Sequence, residues 1–339
     1  MWKAGLRWMF LIMGTMIGAG YASGREIWQF FGHESGLAII LFTVLFSICC
    51  YIIMKISYEK KTVHFLPLLE TVLGKRIAAI YDIMLVFYLF SVTVVMLAGG
   101  GATLEAFSLP FWAGIAITVA LLVLLFIWDL QGMVSINAFI TPALVIGLIT
   151  ILLTYFIKDG QMFYIDWSKQ NNWPAAFTFT ALNIMPLVAV LAAIGKEIKR
   201  KGEIWIASIG SGLILGGISF IYNEILMEIS SDIALYEIPL FAILKNNHNM
   251  VLVIMSIILW CAIYTTAATG VVGLASRFRK KMEIPLWSIA LLILLIMVPF
   301  TTFGFSTLIA VLYPLYGLLN LYLLASLLLY PITNKNFDK

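Results

Sequence analysis

Two adjacent threonines, a run of glycines and a lone amide define the chemistry open to this chain. In the stretch Ala262-Ile263-Tyr264-Thr265-Thr266-Ala267-Ala268-Thr269, neighbouring hydroxyls sit in an apolar segment. With backbone carbonyls they offer the all-oxygen shell that a small hard cation prefers. A threonine in such a helix can also donate to its own helix's carbonyl, with no ion involved. Gly14, Gly18, Gly20 and Gly24 fall in a second apolar segment. The four-residue spacings fit a helix-packing face. They also fit an unwound stretch whose backbone lies close to a ligand. A third segment, Phe177 to Leu187, holds Thr178, Thr180, Asn183 and Pro186. Pro186 lacks an N–H and clashes with the carbonyl of Leu182. Asn183 offers an amide to the groups so released, in a binding segment or in a plain kink.

Other chemistry is thin. There is no His-Glu-x-x-His, no metal-spaced cysteine pair and no phosphate-binding loop. His33, His64 and His248 lie near the ends of apolar segments, far apart in sequence, so no catalytic constellation forms. Cys49, Cys50 and Cys261 all lie in apolar runs, where free cysteine is a packing residue. Asp82 and Glu224 fall inside apolar segments and are candidates for function by that placement alone. Arg25, Glu26 and Glu228 lie nearer segment ends, where snorkelling to an interface explains Arg25 and Glu228.

The elements that must position these groups are membrane helices. The chain is 62% hydrophobic and 11% charged, against about 25% charged in a soluble domain. About 20 apolar residues span a bilayer as a helix. That measure gives ten segments: 4–31, 36–58, 77–104, 110–128, 133–157, 174–197, 204–230, 248–275, 285–301 and 304–331. Lys3 and Arg7 before an apolar stretch imitate a secretory leader. Trp28-Gln29-Phe30-Phe31 continues the segment at once, so an uncleaved spanning helix is expected.

Charge placement gives the orientation. With ten spans, all 21 lysines and arginines except Arg25, Lys158, Lys169 and Lys245 fall on the side of the N-terminus. By the positive-inside rule, both termini are cytoplasmic in a cell membrane. The net charge of +4 is then a topology signal, not a mark of nucleic-acid binding.

Ten spans divide into 1–157 and 174–332, five each. An odd number inverts the second half relative to the first, and the two glycine- or proline-interrupted segments are spans one and six. Such a pair in two inverted halves marks the binding site of a secondary transporter. Charge matching places a substrate carboxylate at the N–H groups of Ile17, Gly18, Ala19, Gly20 and Tyr21. Its amine then lies near Phe179, Thr180 and Asn183. Phe177, Phe179, Tyr88 and Tyr264 fit an apolar side-chain pocket or helix packing equally well.

These residues resemble a known group. Ten spans broken at one and six, with Gly14-Thr15-Met16-Ile17-Gly18-Ala19-Gly20 in the first, resemble the amino acid–polyamine–organocation superfamily and its LeuT-type fold. More narrowly, the chain looks like the YkvI-like amino acid permeases of Bacillus-like bacteria. The resemblance implies an all-α membrane protein of ten helices in two inverted five-helix repeats, with helices 1 and 6 broken. It also implies a sodium ion held by the carbonyls of Gly14, Ile17 and Ala262 and the hydroxyls of Thr265 and Thr266. Proton-coupled relatives can place a span-five lysine there, and 133–157 holds none. The expected activity is sodium-coupled symport of a small amino acid by alternating access. A proton-coupled or uncoupled permease, an amino-acid sensor on the same fold and a helix scaffold are the other readings.

Overall fold

The computed structural model describes residues 2–128, 131–159, 166–233, 235–245, 248–279 and 285–334. Lys280, Lys281, Lys335 and Lys339, counted above on the inner side, lie outside the described residues. The first predicted segment is three pieces: α1 (Trp2–Met16), α2 (Ala19–Ala22) and α3 (Arg25–Phe31). Then come α4 (Gly36–Lys60), α5 (Phe65–Leu73), α6 (Lys75–Glu105), α7 (Phe111–Trp128) and α8 (Gln131–Asp159). The second half holds α9 (Ala175–Ala193), α10 (Lys201–Glu228), α11 (Ser230–Ile233), α12 (Pro239–Leu244) and α13 (Asn249–Arg279). It ends with α14 (Leu286–Met297), a 3₁₀ turn Val298–Phe303, α15 (Phe305–Leu319) and α16 (Leu321–Thr333). Each predicted segment coincides with one helix or a run of consecutive pieces. Among the described residues, eight helical stretches are long and apolar enough to cross a membrane. Phe111–Ile127 is apolar but shorter, and the first segment is interrupted.

Helices dominate because a backbone in hydrocarbon must satisfy its polar groups internally. Hydroxyls obey the same demand: Thr43 donates to the Ile39 carbonyl at 2.8 Å, Ser47 to Thr43 at 2.8 Å and Thr103 to Gly99 at 2.7 Å. The helices pack as two groups. In one, α1, α4, α9 and α10 lie against one another; in the other, α13 lies on α6 and α8, and α7 on α6 and α14. Gly212 and Gly216 on α10 sit so tightly against Ser47 and Thr43 of α4 that neither position has room for a side chain.

One expectation fails here. Span six is not broken at Pro186: α9 runs as a continuous helix from Ala175 to Ala193 with Pro186 inside it. A proline removes one helical hydrogen bond, and neighbouring helices can hold the segment together around that loss. Here α9 is packed on α4, α15 and α1. The helix ends instead at Ile194, before the turn that leads to α10.

Candidate functional site

The interruption of the first segment is real and double. After Met16 the chain is extended at Gly18 (φ −86°, ψ −176°). The Gly18 N–H turns back to the Met16 carbonyl at 2.8 Å. Helical bonding resumes only with Ala22 N–H to the Gly18 carbonyl at 2.9 Å. The N–H groups of Ala19, Gly20 and Tyr21 therefore begin α2 without helical partners. A second stop follows at Gly24, whose φ of +80° is the left-handed conformation that glycine adopts most readily. Helix α3 restarts at Arg25.

A cavity of about 680 Å³ begins at this break, a volume typical of small-molecule sites. Its inner end is lined by Gly18, Ala19, Gly20 and Glu26 from the first segment, with Tyr88 of α6, Asn183 of α9 and Tyr313 of α15. Further along lie Gly14 and Thr15 of α1, Thr141 of α8, and Thr266 and Thr269 of α13. The far end reaches Arg7 and Glu197. Both are exposed and form an ion pair at 3.5 Å, so the cavity opens at the α1 end of the molecule.

The opposite end is closed. The Leu240 N–H of α12 donates to the Ser23 carbonyl at 2.9 Å, and the Tyr222 hydroxyl donates to the Ala22 carbonyl at 3.1 Å. Asn172 reaches the Phe30 carbonyl at 2.9 Å. Behind these bonds the Phe179 ring packs against Phe30, Phe31 and Phe42, with centroids 5.2, 4.7 and 4.8 Å away.

Glu26, which the sequence placed in the first segment without a role, is the feature that stands out. Its side chain is buried, with the residue 5% exposed, and it lines the cavity. A Cβ built on Gly20 would lie 2.9 Å from Glu26 Oε2 and 3.2 Å from the Tyr313 hydroxyl. The missing side chain at Gly20 thus lets a carboxylate rest against the backbone of the break. The Asn183 amide lies close to this carboxylate and donates to the Phe179 carbonyl at 2.9 Å. Among the described residues no lysine, arginine or histidine forms an ion pair with Glu26. Nor does any group of three or more His, Cys, Asp or Glu among them form a metal-binding cluster. A second stop at Gly24 followed at once by a charged pair was the available signal. An unbroken helix through Gly24 would have carried Glu26 elsewhere.

The predicted substrate residues divide. Gly18, Ala19, Gly20 and Asn183 line the cavity. Ile17, Tyr21, Phe179 and Thr180 are buried beside it. The Tyr21 hydroxyl lies 3.0 Å from the Leu215 carbonyl and 2.9 Å from Ser219 Oγ. Phe179 belongs to the closed end, and Thr180 donates to the Ala176 carbonyl at 2.6 Å. Of the proposed cation ligands, Gly14 and Thr266 face the cavity, while Ile17, Ala262 and Thr265 are buried. Thr265 and Thr266 both donate to the Ala262 carbonyl, at 3.1 and 2.8 Å. Their oxygens keep lone pairs, but that carbonyl is already engaged.

Asp82 has an unforeseen partner. Arg277 of α13 grips it bidentately, at 2.6 and 3.1 Å. Glu224 lies near the C-terminal end of α10, close to Glu34. The cysteines are free, with Cys49 and Cys50 buried.

Comparison with known proteins gives this site its setting. "Uncharacterized protein YyaD" of Bacillus subtilis (strain 168) is 53% identical over 335 residues, covering 99% of both chains. The chain belongs to the YyaD family. A more distant relative, "Uncharacterized membrane protein YkvI" of the same organism, is 25% identical over 94% of both chains. No protein-family model matches. Among solved structures, MhsT in complex with L-phenylalanine superposes with a TM-score of 0.67, at 14% identity over 94% of this chain and 87% of MhsT. The inward-facing conformation of Mhp1 gives 0.64, at 13% identity over 93% of this chain and 73% of that one. A Na+-coupled sialic acid symporter gives 0.50, at 13% identity over 97% and 86%. The YyaD family therefore has the LeuT-type fold.

Proposed function

We propose that this YyaD-family chain is a secondary transporter that carries a small amino acid across the cytoplasmic membrane by alternating access, in symport with sodium. The observation that carries the reading is the cavity: it starts at a broken helix deep in an apolar bundle and is open at one end only. Breaks of this kind persist in membrane proteins where they line a cavity or a ligand. A fold neighbour holding L-phenylalanine and another described as Na+-coupled are consistent with it. The topology proposed is ten spans with both termini cytoplasmic, as two inverted repeats over 1–157 and 174–332. The open end, with Arg7, then faces the cytoplasm.

In this reading the substrate sits at the inner end of the cavity, its carboxylate towards the free N–H groups of α2. The sodium ion lies between α1 and α13, near Gly14 and Thr266, whose side of the cavity must narrow to hold it with Ile17, Ala262 and Thr265. Purified protein in liposomes tests the whole. Amino acid accumulation driven by an inward sodium gradient is expected. Uptake driven only by a proton gradient would replace sodium with the proton-coupled alternative, and binding without any flux would make the chain a sensor.

A further inference from the structure

We propose that Glu26 is the anionic partner of a substrate ammonium group, so that the site selects compounds bearing a primary amine. The inference rests on the transport reading only for its setting, because the binding it describes can be measured without flux. It moves the amine from the Phe179–Asn183 side of the cavity to the first helix itself.

A carboxylate buried away from water costs several kcal/mol unless paired or hydrogen-bonded. Glu26 lines the wall of the cavity, and no basic side chain among the described residues pairs with it. The nearby Asn183 amide gives an N–H to the Phe179 carbonyl, which leaves most of the carboxylate's acceptor capacity unfilled. The bare backbone of Gly20 leaves Oε2 accessible at the break. An ammonium there finds a charge-assisted acceptor and two tyrosine rings, Tyr88 and Tyr313, on the same wall. Tyrosine faces attract cations as well.

A divalent metal is the other cation to consider. Among the described residues no second carboxylate, histidine or cysteine joins Glu26 in a cluster of three. One carboxylate and one amide suit a monovalent ammonium, which needs three acceptors and no fixed coordination shell.

Closing the cavity sharpens the requirement. While the α1 end is open, water can reach the carboxylate and screen it. When that end closes, the carboxylate must be balanced within the bundle or take up a proton. An ammonium that enters with the substrate provides the balance, and a deaminated acid would add a second negative charge beside the first.

The test uses the full-length purified protein and thermal stabilisation by ligand, which grows with [L]/Kd. The probes are the twenty amino acids, their decarboxylated amines, their deaminated acids, and manganese chloride alone. Amine-bearing probes are expected to stabilise the wild type, with no response to deaminated acids or manganese. Glu26→Gln keeps the shape and removes the charge. It should weaken the responding amines by at least about 30-fold, while Glu26→Asp weakens them less. The unliganded Glu26→Gln protein should melt no lower than wild type, because an isolated buried charge is gone. Should that variant fail to fold, Gly20→Ala reads the same contact, since its Cβ would crowd Glu26 Oε2.

Several results overturn the proposal. They are no response of the wild type to any amine-bearing probe, equal stabilisation by deaminated acids, or stabilisation by manganese without amines. Amine affinity retained in Glu26→Gln within about threefold also overturns it, including the case where only proton-driven uptake is lost. Glu26-dependent amine binding without any liposome flux would instead overturn transport and leave the ammonium site standing.

Discussion

Gly24→Ala should loosen the closed end of the cavity. At φ +80° an alanine pays about 1–2 kcal/mol for its left-handed backbone. Its Cβ would also meet the Tyr222 hydroxyl at 2.5 Å and Cζ at 2.8 Å. Tyr222 is fully buried, so it has little room to yield, and overpacking of this kind costs about 1–3 kcal/mol. The two contributions together give roughly 2–5 kcal/mol. The strain falls where Tyr222 donates to Ala22 and Leu240 to Ser23, so local opening should absorb much of it. A cysteine at Leu240, buried in the closed state, should then react with a membrane-impermeant maleimide at least about tenfold faster in Gly24→Ala than in its parent. Tyr222→Phe removes the oxygen nearest the new Cβ. Its combination with Gly24→Ala should cost about 1 kcal/mol less than the two single changes added together. The reasoning fails if Gly24→Ala matches its parent in labelling rate and melting temperature, or if the two changes are strictly additive.

Three further outcomes are expected. Asp82→Ala should lower stability by roughly 1 kcal/mol, because the Arg277 pair is bidentate but about a third exposed. Exchanging the two charges should restore part of the melting temperature, and no recovery would count against a direct pair. Gly18→Val should fold, since a Cβ there meets nothing within 4 Å and its backbone is extended. Its side chain would project into the cavity and weaken substrate binding by at least about tenfold; wild-type affinity in the folded variant would refute this placement of the site. Thr265→Ala with Thr266→Ala should abolish any difference in substrate affinity between sodium and potassium buffers while leaving a folded protein. A sodium effect that survives the double change would remove these residues from the ion site.

The first interruption was readable in the sequence because glycine acts locally: Gly18 and Gly24 stop helices by their own backbone preferences. Pro186 is as strong a local signal, yet α9 continues through it. One missing helical bond is a small loss beside the packing of α9 on three neighbouring helices. The place of Glu26 on the cavity wall was hidden for a different reason. Periodicity assigns faces by counting around an unbroken helix, and two stops within eight residues erase that phase. The Asp82 pair was beyond reach because 195 residues separate its members, and only the packing of α13 on α6 brings them together. Thr265 and Thr266 were read correctly as adjacent donors on one helix. Sequence alone left open whether they served the helix or an ion, and both donate to the Ala262 carbonyl.

The glycine seam between α10 and α4 turns two helices into a single lever. With Gly212 and Gly216 interlocked against Ser47 and Thr43, neither helix can slide along the other, and motion at one end is transmitted to the far end. A helix of 28 residues is about 42 Å long, so a rocking of about 10° around its middle displaces each end by roughly 3–4 Å in opposite directions. With a pivot at the seam, Tyr222 and the closed end would lie on one arm and Trp205 on the other. A small rotation that parts Tyr222 from Ala22 therefore drives the opposite arm inward. In the alternating-access cycle proposed above, opening and closing would be two ends of one stroke, and side chains added along the seam would stall both together.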